Sequence, residues 1–182
     1  MRDMLGVALK CQGRSVNTRS LDELRAAGEL IQKAKKNKNC LGFEGGVGGK
    51  NKVASNEACM AIVYNGDAIR AMTETQGVEY GVPKEGSIIW VDAMTVPAKA
   101  PNPEGAHRFI DFILDPKVGA QLSDFNRYAS PNAGSLPLVK KEDRKNLGIY
   151  PSDETLKKLE YLEDVGKDTQ LYDEVWTAVK AR

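Results

Sequence analysis

Short apolar segments rich in β-branched residues alternate along this chain with segments of helical periodicity, and no other feature limits its fold as strongly. Strands separated by helices predict the α/β class. Few strand-like segments accompany many helical ones, so we expect part of the sheet to be missing from these residues. The strand-like segments are Cys40–Phe43, Cys59–Tyr64 and Gly86–Ala98, the last with Ile88, Ile89, Val91 and Val96.

The helical segments are recognised by apolar residues three or four positions apart. The clearest begins at Ser20-Leu-Asp-Glu23, where a hydroxyl and a carboxylate form a capping box for the first free amides. In the segment 103–114, four apolar side chains are predicted to face inward: Phe109, Ile110, Ile113 and Leu114. The predicted helices cover residues 3–12, 21–38, 51–58, 67–75, 103–114, 116–125, 141–145, 153–161 and 170–181.

The composition is that of an ordinary globular protein and gives no support to two other classes. Of 182 residues, 41% are hydrophobic and 28% are charged, and the formal net charge is +1. This near-neutral balance predicts no nucleic-acid binding. No apolar run is long enough to span a membrane, and the opening MRDMLGVALK lacks the pattern of a signal peptide. The residues by themselves therefore do not indicate a compartment.

Two features could indicate phosphate binding or catalysis, but neither has the residues that these functions require. Residues Glu44–Gly49 resemble a phosphate-binding loop, but the first required glycine is replaced by Glu44, and Lys50 is followed by Asn51. His107 is the only histidine, so a pair of histidine metal ligands cannot form, and no nucleophile motif accompanies it. We therefore predict a flexible loop at 44–49, a solvated His107, and neither enzymatic activity nor a metal or cofactor.

The cysteines do not define a site. Cys11, Cys40 and Cys59 lack the spacing of metal ligands. Unpaired and mostly buried thiols are the favoured prediction, because a free cysteine behaves as a small hydrophobe. The alternative, in an oxidising compartment, is a disulfide between Cys40 and Cys59.

Trp90 and Asp92 lie within the third strand-like segment, two residues apart, and a regular strand would point both to the same face. One interpretation is a core tryptophan with an acid that binds backbone amides at a strand end. The other is a site for an organic cation, since an indole face attracts an ammonium group and a carboxylate pairs with it. Tyr64, at the end of another strand-like segment, would add a second aromatic ring there.

Several strings in the chain resemble the bacterial spermidine/putrescine-binding proteins, the extracytoplasmic receptors of polyamine ABC importers. The similarity runs from Arg2 to the end of the chain, and the string P-K-E-G-x-x-x-W-x-D is the most specific part of it. The strings that carry it are Ile62–Ala68, Val82–Ala93, Val96–Ala98, Glu104–Pro116, Tyr128–Asn132, Ile149–Pro151 and Asp164–Gly166.

The resemblance implies an incomplete α/β fold of the type II periplasmic-binding-protein kind. Members of the family are about twice as long and have two lobes with a cleft between them, so the chain resembles only their C-terminal half, as a truncated or fragmentary form. It would comprise most of lobe two and the C-terminal part of lobe one. By this resemblance residues 1–91 would form lobe two, residues 92–150 a return segment of lobe one, and residues 151–182 a helical crossover.

The resemblance also implies a set of ligand-binding residues. Asp92 would bind a ligand amine and Trp90 would lie against the methylenes. Tyr64 falls where family members often have a tryptophan, Tyr128 matches an aromatic of the other lobe, and Asp3 falls at an acid that pairs with an amine. Leu162, with Glu163 beside it, replaces a polar ligand residue, which leaves the length of the ligand open.

The function implied by the resemblance is non-catalytic capture of a polyamine in the periplasm or another extracytoplasmic space. Expected partners are the polyamine, the ABC permease subunits and the missing N-terminal half, with no nucleic acid among them. The isolated chain is expected to self-associate, for example by a domain swap, and to bind polyamines weakly or not at all. The alternatives are a receptor for another organic cation, an enzyme that uses His107 or a cysteine, and a purely structural interaction module.

Overall fold

A computed structural model of the chain describes residues 1–181. The structure is mostly helical, and the helices and strands named below are those of the described residues. In chain order they are α1 (Arg2–Cys11), α2 (Leu21–Lys35), α3 (Gly48–Ala54), α4 (Asn65–Glu74), β1 (Ile88–Ile89), α5 (Pro103–Leu114), α6 (Pro116–Asn126), a 3-10 turn (Leu136–Leu138), α7 (Lys141–Arg144), α8 (Asp153–Leu156), β2 (Glu160–Tyr161), a 3-10 turn (Gly166–Asp168) and α9 (Thr169–Ala181).

The chain divides into two compact units, each built from separated segments. The first unit comprises Met1–Glu44, Val82–Trp90 and the described residues from Asp153 onward. The second comprises Gly45–Gly81 and Val91–Ser152. The lobe boundaries predicted from the sequence, at 91/92 and 150/151, refer to the two lobes of a full-length receptor and not to these two units. They stay a prediction.

The core of the first unit lies among α1, α2 and α9. Each helix has one apolar stripe, and burial of that stripe against the other two supplies the main stabilisation. The helices α2 and α9 approach closely at Gly28, where an added Cβ would lie 2.6 Å from Val175 Cγ1. The largest fully buried side chains of this unit are Tyr172, Leu5, Leu9, Leu24, Val16 and Val179.

Tyr172 connects this core to the segment after α1. Its hydroxyl lies 2.7 Å from the carbonyl oxygen of Thr18 and 3.1 Å from that of Val16. The guanidinium of Arg2 lies 4.3 Å from the centroid of the Tyr172 ring, within cation–π range. The ring therefore contributes apolar burial while its hydroxyl satisfies carbonyl groups that the helices leave unpaired.

Glu160 fixes the small parallel sheet of the first unit, in which Ile88 is paired with Glu160 and Ile89 with Tyr161. Its carboxylate accepts hydrogen bonds from Lys10 Nζ at 2.6 Å and from Ser15 Oγ at 2.7 Å. Partial burial opposes ionisation of this group, but these bonds and the charge of Lys10 outweigh it and lower the pKa of Glu160.

The strand predictions are largely wrong. Residues 40–43 and 59–64 form no strand, and of the segment 86–98 only Ile88–Ile89 is paired. The segment 59–64 was predicted to be buried, yet Met60 is 86% exposed and Ile62 59% exposed. An apolar extended segment becomes a buried strand only where neighbouring strands accept its backbone hydrogen bonds, and these segments have no such neighbours among residues 1–181.

The helix predictions are mostly confirmed. The cap of α2 is present, since Ser20 Oγ accepts a hydrogen bond from Glu23 N at 3.4 Å, while the Glu23 carboxylate binds Thr18 Oγ1 instead of completing the box. The helix α3 begins at Gly48, so the last two residues of the predicted loop 44–49 are helical. The helix predicted over 153–161 ends at Leu156, and the chain then enters β2.

The inward face predicted for α5 is only partly present. Ile110 and Ile113 are half-buried, whereas Phe109 and Leu114 are 57% and 54% exposed, and no residue of the helix is fully buried. Phe112, on the same helix, is 59% exposed. On α6, Phe125 is 78% exposed. Periodicity set the apolar stripe of α5 correctly but could not supply the surface that would cover it.

The remaining expectations have mixed outcomes. Cys11, Cys40 and Cys59 are unpaired, as predicted, but all three are exposed rather than buried. His107 lies on α5 and is exposed, as predicted. In the part of the chain from residue 1 to 181, the helices are too short or too polar to cross a membrane.

Replacement of Tyr172 by phenylalanine is expected to lower the free energy of unfolding by about 1–2 kcal/mol, because the ring stays and two largely buried carbonyl groups lose a donor. Urea denaturation measures the change. Tyr161→Phe is the matched control, because Tyr161 is 55% exposed. Equal destabilisation by both substitutions would contradict the role given to the Tyr172 hydroxyl.

The exposed apolar side chains of α5 and α6 predict concentration-dependent self-association of the chain, because contiguous apolar surface is removed from water when two copies meet. Phe112→Ser combined with Phe125→Ser should shift the equilibrium toward monomer in sedimentation velocity. Leu147→Ser, at a residue 66% exposed outside both helices, should change little. A wild-type chain that stays monomeric at all concentrations would disprove the prediction.

Candidate functional site

The first element of the site is the start of α4 in the second unit. Tyr64 is the residue before the helix, in extended conformation, and its side chain is 45% exposed. The neighbouring Asn65 donates a hydrogen bond from Nδ2 to the carbonyl oxygen of Gly148 at 2.9 Å. This bond holds the first turn of α4 against the loop after α7, so the position of Tyr64 is fixed by its flanking residue.

The second element is the turn after α6, which presents Tyr128. The helix ends at Arg127, which is left-handed with φ 64° and ψ 23°. A non-glycine residue there costs roughly 1–2 kcal/mol relative to the right-handed region. Ser123 Oγ donates to the carbonyl oxygen of Tyr128 at 2.5 Å, and Asn126 Oδ1 accepts from Tyr128 N at 2.9 Å. The backbone of Tyr128 is thus held by the last turn of α6.

The two elements meet at Gly66. A Cβ added at Gly66 would lie 2.5 Å from Cε2 and Cζ of the Tyr128 ring and 2.8 Å from the carbonyl oxygen of Asn126. No side chain larger than hydrogen fits there without movement of the ring or the backbone. The ring of Tyr128 therefore lies against the first turn of α4. The contact is at Gly66, which Asp67 follows directly and Tyr64 precedes by two residues.

The charges around Tyr128 are mostly negative. Burial is the main factor that raises the pKa of Tyr128, followed by the charges of Asp67, Tyr64 and Asp92, while the positive charge of Arg70 lowers it. The carboxylate of Asp92, predicted from the sequence as a ligand group, is the smallest of these influences on the pKa of Tyr128. An aromatic ring and neighbouring carboxylates can together bind an organic ammonium group, because both the ring and the carboxylates attract its positive charge.

The predicted site residues are divided between the two units. Tyr64, Tyr128 and Asp92 belong to the second unit. Trp90 and Asp3 belong to the first, where Trp90 follows β1 and is 38% exposed, and Asp3 lies half-buried in the first turn of α1. Because β1 ends at Ile89, the period-two alternation that placed Trp90 and Asp92 on one face does not extend to them. Their ligand-binding roles stay a prediction.

Sequence reasoning missed three contributors to this site: Asp67, Gly66 and Arg127. Asp67 lies in the first turn of α4, where an acid is usual because it complements the helix dipole. Gly66 is ordinary beside an asparagine turn signal, and nothing in the sequence shows that Arg127 is left-handed. Only the spacing of Tyr64 and Asp67, three apart on a helix start, could have indicated that they share a face.

Metal binding has no support in the described residues. Among residues 1–181, no three side chains of His, Cys, Asp or Glu are grouped closely enough to hold a metal ion. The chemistry that the arrangement around Tyr128 can perform is binding by charge and aromatic contact.

Asp67→Asn is expected to lower the pKa of Tyr128 toward its usual value of 10.0, though burial will keep it higher. A phenol whose pKa is raised by folding stabilises the folded state below pH 10, and this contribution is lost as the pH rises through the raised value. Absorbance titration of the phenolate, taken as the difference from Tyr128→Phe, measures the shift.

The control for this titration is Asp111→Asn, which makes the same change of charge on the exposed helix α5. It should leave the pKa of Tyr128 where it is. If Asp67→Asn leaves it unchanged as well, the assignment of Asp67 to this site is wrong.

Comparison with known proteins adds relatives to this geometry. The family model for bacterial extracellular solute-binding proteins matches residues 2–148. The spermidine/putrescine-binding periplasmic protein of Salmonella typhimurium is 32% identical over 180 residues, which cover 99% of this chain and 51% of the relative. A putrescine-binding periplasmic protein of Pseudomonas aeruginosa is 32% identical, over 98% of this chain and 50% of the relative.

A solved structure has the same fold. The spermidine/putrescine ABC transporter substrate-binding protein of Streptococcus pneumoniae superposes with a TM-score of 0.79 at 26% identity, over 99% of this chain and 55% of that one. The resemblance noted in the sequence and the predicted fold class, an incomplete α/β periplasmic-binding-protein fold, are confirmed. The chain spans about half the length of the curated relatives it matches.

Proposed function

The chain belongs to the family of bacterial extracellular solute-binding proteins, and from that premise we propose that it supplies part of a polyamine receptor. The receptor would bind spermidine or putrescine outside the cytoplasm and deliver it to the permease subunits of an ABC importer. No chemical step is involved, so its role is binding and release. The relatives named above support this choice of ligand by their own specificities.

The observation that carries the proposal is the group formed by Tyr64, Asp67, Asp92 and Tyr128. Polyamines are alkyl chains with a cationic amine at each end. A carboxylate accepts the hydrogen bonds of such an amine, and an aromatic face attracts its charge and covers the adjacent methylenes. Both carboxylates contribute to the raised pKa of Tyr128. We propose that a cation at the ring is attracted by Asp67 and Asp92 together.

Specificity for charged ligands follows from the same residues. A neutral diol of equal length would leave the carboxylates without a cationic partner while covering them, which costs free energy. We therefore propose that charge, more than length, selects the ligand at this end of the site. Trp90 and Asp3, which belong to the first unit, keep the ligand-binding roles that the family resemblance implies.

The rest of the receptor is also part of the proposal. The polypeptide that corresponds to the other half of the relatives would complete the cleft of a two-lobed receptor. Two lobes that close on a ligand would present a distinct form to the permease. The chain alone would bind weakly, because it supplies only part of the cleft.

A second candidate is a receptor for another organic cation. Two residues favour it: Tyr64, which has a weaker quadrupole than the tryptophan that the family often has there, and Leu162, which follows β2 and is apolar where a polar ligand residue is expected. A guanidinium ligand would use the same carboxylates through two parallel hydrogen bonds.

Titration of the chain with putrescine and spermidine, followed by amide NMR shifts, tests the proposal, since this measurement detects millimolar affinity. Shifts are expected at Tyr64, Asp92 and Tyr128. Asp92→Asn should weaken binding about tenfold, the effect of one charge-assisted hydrogen bond at an exposed site. Asp111→Asn is the charge-matched control and should bind as the wild type does.

The ligand controls separate the two candidates. Butane-1,4-diol should cause no shifts, and agmatine should bind more tightly than putrescine only if the second candidate is correct. Absence of shifts at these residues with every cation would refute the proposal.

A further inference from the structure

Arg127 is in a conformation that its residue type disfavours, directly before the aromatic side chain of the site. Its φ of 64° lies in the left-handed region, where a glycine would fit without strain. The neighbouring backbone is well satisfied, since Arg127 N donates to the carbonyl oxygen of Ser123 at 2.9 Å. The turn itself therefore gives no reason for an arginine at this position.

The side chain of Arg127 supplies that reason through an ion pair with α7. Nη1 lies 2.6 Å from Oδ2 of Asp143, and the two side chains are only 25% and 12% exposed. A pair this close and this shielded is far less screened than one at the surface. It connects the residue before Tyr128 to a separate helix, 16 positions further along the chain.

The ring of Tyr128 is also limited by α4. The first turn of α4 lies against it at Gly66, where an added Cβ would come within 2.5 Å of the ring. The backbone of Tyr128 is bound by Ser123 and Asn126. The ring is therefore limited by α4, and its backbone follows directly from the left-handed, ion-paired Arg127.

We propose that the Arg127–Asp143 ion pair is a positioning device for Tyr128, and that it sets the aromatic face against which a ligand ammonium binds. The ligand in this assignment is taken from the proposed function, whereas the position of the ion pair next to Tyr128 is taken from the structure. Arg127 and Asp143 are positioning residues that act through Tyr128, and Gly66 limits the space that the ring can occupy.

The test uses the chain labelled with 3-fluorotyrosine, whose Tyr128 signal is identified by its loss in Tyr128→Phe. Asp143→Asn keeps the shape of the side chain and removes its charge. It should shift or broaden the 19F signal of Tyr128 and leave that of Tyr172, in the first unit, unchanged. Glu142→Gln, at the exposed neighbour on α7, is the charge-matched control and should leave the Tyr128 signal as it is.

A second variant guards against simple unfolding of α7. Arg127→Gly removes the ion pair while it retains the left-handed turn at no steric cost, so the relief of backbone strain offsets part of the cost of leaving Asp143 without its cation. Thermal unfolding checks that the variant is folded at the temperature of the NMR measurement. It should change the Tyr128 signal in the same way as Asp143→Asn. The double variant should show no further change, since the two residues act through one interaction.

Polyamine affinity is the second readout, measured by the same NMR titration. Asp143→Asn should weaken putrescine binding about threefold to tenfold in the wild-type background and have no effect when Tyr128 is already alanine. A residue with only a structural role would lower affinity equally in both backgrounds, and that result would overturn the proposal.

The two readouts also separate this inference from the proposed function. A Tyr128 signal that is unaffected by both Asp143→Asn and Arg127→Gly overturns the positioning role, whatever the affinity. A shifted signal in a chain that binds neither amine supports the positioning of the ring and refutes the polyamine proposal alone.

Discussion

A β-strand is stable only where a neighbouring strand accepts its backbone hydrogen bonds, and this requirement explains most of the structure. The described residues contain one parallel pair of two-residue strands, Ile88–Ile89 with Glu160–Tyr161. The apolar segment 59–64 has no strand beside it and stays irregular and exposed, with Met60 at its surface. The same shortage leaves the apolar side of α5 uncovered, because helices of α/β proteins bury that side against a sheet.

Side-chain hydrogen bonds and helix packing provide the order that a larger sheet would otherwise give. In the first unit, Tyr172 and Glu160 each join segments more than a hundred residues apart, one through its hydroxyl and the other through its carboxylate. In the second unit, Asp115 accepts hydrogen bonds at the start of α6 and Asn132 fixes the turn that follows Tyr128. These contacts hold loops in place, and loops carry the residues of the candidate site.

The candidate site is a product of two such loops. One presents Tyr64 at the start of α4, and the other presents Tyr128 after a left-handed Arg127 that is paired with Asp143. Gly66 lets the two approach to contact distance. Membership of the solute-binding family gives this arrangement its functional context, and the chain spans about half the length of the relatives it matches.

The sequence by itself determined the local features of this protein. The helices, the caps at Ser20 and Asn102, and the short strings that reveal the family all depend on residues a few positions apart, where propensity and periodicity act directly. Asp92 and Tyr64 were predicted as site candidates from the strand-like segments, and Tyr128 from the resemblance to the family. The tertiary structure alone decided which extended segments became strands, that the three cysteines are exposed, that Gly66 and Asp67 lie beside Tyr128, and that Arg127 pairs with Asp143. The physical reason is the same in each case: strand pairing, burial and ion pairs join residues that are distant in the chain, and no local pattern encodes which partner each will meet.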